Sequence, residues 1–125
     1  MRTWISLRAL LDSLESDTGF DRLNPISQRM LEWIAVRLQN SAPLHIQEIV
    51  MKSGVASPAT VHKAIAILER QGLISVSRDE IDSRRRIVHI TPRAERLLAG
   101  LSKGVDAWAR ALAKAPVARG AKSTK

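Results

Sequence analysis

Residues 57–90 read SPATVHKAIAILERQGLISVSRDEIDSRRRIVHI, and a change of period inside this stretch decides the fold. In its first half Val61, Ala64, Ile65 and Leu68 recur at the spacing of one helical face. Ser57 followed by Pro58 offers a capping hydroxyl and a preset φ for a first turn. Gln71-Gly72 ends the helix, because glycine takes the left-handed conformation at a helix terminus. The spacing therefore predicts a helix over about 58–71. Beyond Gly72 the pattern turns β-branched. LISVSR (73–78) and RRIVHI (85–90) read as two strands around the polar DEIDS, a β-hairpin with an extended loop.

Working outward, SGVA (53–56) is a turn in which Gly54 supplies the conformation that other residues avoid. Before it Ile46, Ile49 and Val50 mark a short helix over 45–52. NSAP (40–43) is a breaker, and a helix from Asn24-Pro25 to about Gln39 carries Met30, Ile34 and Leu38 on one face. DTGFDRLN (17–24) is a loop, and residues 3–16 form an amphipathic helix with Trp4, Leu7, Leu11 and Leu14 in its stripe. On the other side Thr91-Pro92 starts a last helix with the stripe Ala94, Leu97, Leu98, Leu101, Val105, Trp108 and Leu112. Gly100 and Gly104 interrupt it, and their spacing leaves two readings open, a kink or split of the helix or a close approach of two helices. PVARGAKSTK (116–125) has no apolar period and is expected to be a basic, disordered tail.

Two helices joined by a glycine-containing turn make a helix-turn-helix. A hairpin directly after it makes a winged helix. The expected fold is mainly α with a small β-hairpin, a single domain over 1–115. Residues 45–91 are the helix-turn-helix and wing, and helices 3–16 and 92–115 are left for dimerisation. With 125 residues the chain can hold one core, and it is too small to bury both terminal stripes by itself. A homodimer covering Trp4, Leu7, Leu11, Leu101, Val105, Trp108 and Leu112 is the expected solution.

The chemistry expected of this arrangement is DNA recognition. The second helix of the motif offers its first turn to the major groove, which is wide enough to admit it. Ser57, Ala59, Thr60, His62 and Lys63 are its exposed candidates, and no acid lies at that end. Arg84, Arg85 and Arg86 sit at the hairpin tip, and strand alternation suggests that two of the three can meet DNA at once. The net charge of +8 fits a polyanionic partner. Its distribution is uneven: residues 1–44 are neutral, 45–91 carry +2 and 92–125 carry +6. The surplus is C-terminal and lies outside the expected reading head.

Other classes fare poorly. There is no cysteine, so disulfides, thiolate metal sites and cysteine nucleophiles are excluded. His45, His62 and His89 are widely spaced and no acid stands beside them at ligand spacing, so neither metal nor cofactor is expected. There is no phosphate loop, nucleophile elbow or triad, and no enzymatic activity is expected. No apolar run is long enough for a membrane span. Arg8 and Asp12 break the N-terminal stretch, so it does not read as a signal peptide, and a cytoplasmic protein is expected.

The stretch ATVHKAIAILERQGLISVSRDEIDSRRRIVHITPRAERLL resembles the core of the MarR (multiple antibiotic resistance regulator) winged-helix transcription factors. The matching residues are Thr60, the Leu68-Glu69-x-x-Gly72-Leu73-Ile74 junction, the Asp82-x-Arg84-Arg85 wing motif and Ile90-Thr91 at the next helix start. The resemblance spans roughly residues 30–100. It implies a homodimeric, double-stranded-DNA-binding regulator that represses by occupying an operator. It also implies that Arg84 is the wing arginine of the minor groove and that Asp82 positions it. Thr60, His62 and Lys63 fall where the family contacts bases and phosphates. The low aromatic content (three Trp, one Phe, no Tyr) gives no sign of an aromatic-lined effector pocket, and no small-molecule effector is assigned. Two other readings fit the same fold. One is a winged-helix protein-interaction module, and the other is a plasmid or phage replication or partition protein that binds DNA without repressing.

Overall fold

A computed structural model of the chain describes residues 1–114. The elements run α1 (Arg2–Thr18), a 3-10 turn (Phe20–Arg22), α2 (Pro25–Asn40), β1 (Leu44–His45), α3 (Ile46–Lys52), α4 (Pro58–Arg70), β2 (Ile74–Arg78), β3 (Arg86–Ile90) and α5 (Pro92–Lys114). The tail over 116–125, expected to be disordered, lies outside the described residues.

The helices stop and start where the sequence chemistry places them. Asn24 caps α2 by accepting from the Ser27 N–H at 2.9 Å, with Pro25 in the first turn. Gly72 closes α4 with φ near 75°, and its carbonyl accepts from the Thr91 hydroxyl at 2.7 Å. The same hydroxyl oxygen accepts from the Ala94 N–H at 3.2 Å, so one threonine caps α5 and ties it to the α4–β2 junction. Ser57 differs from expectation. It stands at the N-cap of α4, but its hydroxyl donates to Thr60 Oγ1 at 3.1 Å and makes no capping bond to the backbone.

The hairpin has a third strand that was not expected. β1 is two residues long and pairs antiparallel with β3, Leu44 against Val88 and His45 against Ile87, giving the order β1-β3-β2. It is too short to show a period-two pattern. β2 and β3 pair from Ile74 opposite Ile90 to Arg78 opposite Arg86, so residues 79–85 form the wing loop.

The core lies under α4. Met30, Leu31 and Ile34 from α2, Ile49 from α3, Val61 and Leu68 from α4, Val88 from β3 and Ala94 from α5 are all fully buried. Around them close Phe20, Leu44, Leu73 and Ile74. This packing fixes the angle of α4 and therefore which of its residues face outward.

α5 runs unbroken through Gly100 and Gly104, so of the two readings of these glycines the kink or split does not occur. These glycines are where α1 approaches. A Cβ at Gly104 would overlap the Leu14 side chain, and one at Gly100 would stand 3.3 Å from Thr18 Cγ2. The helix tolerates both glycines because their small size admits a neighbour. Trp108 Nε1 donates to Ser6 Oγ at 3.0 Å further along the same pair.

Candidate nucleic-acid interface

The exposed side of α4 is divided between two concave surfaces. His62 lines a cleft of about 350 Å³ together with His45, Ile46, Gln47 and Val50, and with Arg84, Arg85 and Arg86 from the wing. Among the described residues, no Asp or Glu stands in its lining. Thr60 and Lys63 lie on the other flank, in an apolar groove formed with Asn24, Pro25 and Ile26 at the start of α2. Ser57 and Ala59 are exposed at the first turn of α4, and Thr60 is half-buried. Recognition-helix residues that sequence grouped as one set are thus split, with only His62 brought to the wing arginines.

All three wing arginines face the cleft. Alternation along a strand does not separate them, because Arg84 and Arg85 belong to the loop and only Arg86 is in β3. The loop is held by its two aspartates. Asp82 Oδ1 accepts from the Arg84 backbone N–H and from Arg84 Nε, each at 3.1 Å, and Asp82 O accepts from the Arg85 N–H at 2.9 Å. The Arg84 guanidinium lowers the Asp82 carboxyl below its ordinary range, and the Arg84 N–H adds to this. Arg84 itself remains 89% exposed, so its charge points to solvent while its near side is anchored. An anchored guanidinium loses less freedom when it meets a phosphate or a base edge.

Asp79 and His45 form a contact beside the cleft that sequence did not indicate. His45 Nε2 stands 2.9 Å from Asp79 Oδ2, with both side chains nearly buried. They are far apart in the chain and joined through the unexpected strand β1, so no local spacing marks them. A second ion pair, Arg37 with Glu48, joins α2 to α3 behind the cleft. Its guanidinium lowers the Glu48 carboxyl, and Arg37 also stands 5.8 Å from the Trp33 ring centroid. Among the described residues no group of three or more His, Cys, Asp or Glu could hold a metal ion, and no helix is long and apolar enough to cross a membrane.

The dimerisation candidates divide as well. Trp4 and Leu112 are exposed, whereas Leu7, Leu11, Leu101, Val105 and Trp108 are half-buried, with α1 and α5 packed on each other. Part of each stripe is therefore covered within the chain. The uncovered part includes Ile5, 58% exposed beside Trp4 at 60%.

Solved structures share this architecture. The DNA complex of MepR from S. aureus superposes with a TM-score of 0.71 at 17% identity, covering 97% of this chain and 82% of that one. The chain has the fold of the MarR-type winged helices. A MarR family transcription regulator matches with a TM-score of 0.58 at 15% identity over 90% of this chain and 71% of its own. A transcriptional regulator from Thermotoga maritima matches with a TM-score of 0.65 at 17% identity over 95% of this chain and 79% of its own. No family model and no curated protein matches the sequence of this winged helix.

Proposed function

We propose that this winged helix is a sequence-specific double-stranded-DNA-binding regulator that acts as a homodimer and represses by occupying its operator. The observation that carries the reading is the cleft in which His62 of α4 faces three wing arginines. A recognition helix and a cationic wing on either side of one concavity are an arrangement suited to a polyanionic duplex. α4 enters the major groove by its first turn, and the arginines take the flanking backbone or minor groove. Lys63, on the opposite flank, is a phosphate contact. The homodimer is supported by Trp4, Ile5 and Leu112, which leave an apolar strip open on the α1–α5 pair. Two copies would present two recognition helices to a site with two-fold symmetry.

Selection of bound duplexes from a random pool, read at two salt concentrations, tests this. An enriched palindrome is the expected result. Strong low-salt binding with no enrichment would reduce the function to backbone binding, and no binding at all would leave a protein-interaction module.

A further inference from the structure

His45 occupies the junction between β1 and α3 and is 9% exposed. Its Nε2 reaches Asp79 Oδ2, just beyond the end of β2. Asp79 is engaged on two further sides: Oδ1 accepts from the Ile81 N–H at 2.8 Å, and its own N–H donates to Arg85 O at 3.0 Å. The His45 contact, followed by the Ile81 N–H, lowers the Asp79 carboxyl below its ordinary range. It is therefore a carboxylate, which only accepts, and His45 Nε2 is the donor.

The topology shows why this bond matters. β1 pairs with β3 only at Val88 and Ile87, and the last β2–β3 pair is Arg78 with Arg86. Past that pair the loop has no sheet neighbour. Among the described residues, His45 to Asp79 is the only side-chain hydrogen bond that joins residues 79–85 to a segment outside the hairpin, at the β1–α3 junction. Arg85 is one backbone bond from the residue that His45 holds, and Arg84 is anchored on Asp82 in the same loop. A two-stranded ribbon released from such a hold flexes, because a hairpin alone is marginal in water. The charged groups around His45 are Glu48 on α3, Asp79 on the loop, and His62 with the three arginines across the cleft.

We propose that His45 and Asp79 are positioning residues for DNA binding, a tether that sets the gap between the wing arginines and α4. The role rests on the DNA-binding reading above and deepens it. The pair acts through Arg84, Arg85 and Arg86 and decides how well a selected site is distinguished from other duplexes.

The test compares wild type with His45→Phe, which keeps volume but has no donor, and His45→Gln, whose amide can still donate. The probes are a duplex enriched from the random pool and a mixed-sequence duplex. His45→Phe should lose about tenfold in affinity for the enriched duplex, in line with the loss of one hydrogen bond to a charged group, and less for the mixed one. His45→Gln should recover most of the difference. In the free protein, His45→Phe should speed amide hydrogen exchange at Ile81 and Arg85 and leave Leu68 as protected as in wild type. If wild type binds neither duplex, the DNA-binding reading falls and this role with it. If wild type binds and His45→Phe binds equally well, the tether alone is overturned. If His45→Phe fails to fold, His45→Ala takes its place, and failure of both to fold would make the pair a folding element and overturn the positioning role.

Discussion

In α4 four side chains are buried, and in α1 none is, although both helices carry apolar residues at nearly every third or fourth position. The contrast extends to their neighbours. α4 is enclosed by α2, α3 and the sheet, whereas α1 leans mainly on α5, of which only Ala94 is buried. A periodic stripe thus has two fates. Around α4 it is consumed by the core and fixes which of its residues face outward, His62 among them. Along α1 and α5 it is half-used, and what remains is a surface that a second copy can cover.

The largest expected effect breaks this comparison on stability. Leu68→Ala in the fully buried site should cost about 2–5 kcal/mol, and Leu7→Ala, half in water already, about 1 kcal/mol. Denaturant unfolding at several protein concentrations checks both. A Leu7→Ala cost that grows with concentration would show the stripe covered by a second copy, and equal costs throughout would remove the distinction between the regions.

The next test addresses the open strip. Trp4→Glu combined with Ile5→Glu places charge where the chain itself makes little use of the side chains, so sedimentation should give monomer with the fold intact. A dimer that persists would put the interface elsewhere. Trp108 is a poorer target, because its indole also holds Ser6 within the chain.

A smaller effect is expected at the wing. Arg84→Ala should weaken binding to a selected duplex about tenfold or more, with only a small fall in Tm, because the ion pair it loses with Asp82 is largely exposed. Unchanged affinity by anisotropy would take the wing out of the mechanism.

The smallest effect is a difference in acid response. Asp79 and Asp82 have carboxyls lowered from the ordinary 3.8 by His45 and Arg84 respectively. The stability they contribute is fully present above that value and is lost as pH falls through their lower folded values. Glu32 on α2 is raised from the ordinary 4.5 by burial and then by Glu15 of α1, so its ionisation opposes folding and mild acid relieves it. The main titration step of the Asp79 and Asp82 side-chain carboxyl carbons, followed by NMR, should therefore lie below 3.8. A main step at or above that value would mean that these carboxylates do not hold the loop.

Most of the fold is legible in the chain. Asn24-Pro25, Ser57-Pro58, Gln71-Gly72 and Thr91-Pro92 mark boundaries that are local chemistry, and helix ends and strand starts obey it. The candidate site is legible where it is local too: His62 and the arginine run are read directly. What escapes is non-local. β1 is two residues without a period, and His45 meets Asp79 only because that strand docks beside β3. Gly100 and Gly104 read equally as breakers or as a close approach of helices until Leu14 and Thr18 are placed against them. The division of Thr60 and Lys63 from His62 depends on how α2 packs beside α4.

The sequence by itself therefore determined the order of the five helices and the two hairpin strands, and the exposed polar and basic residues of α4 and the wing. It could do so because capping, turn conformation and periodicity act over a few residues. Only the tertiary structure decided which of those residues share a surface, what holds the wing in place and how much of each terminal stripe stays open. Those outcomes depend on contacts between segments distant in the chain, and their geometry exists only once the core has closed.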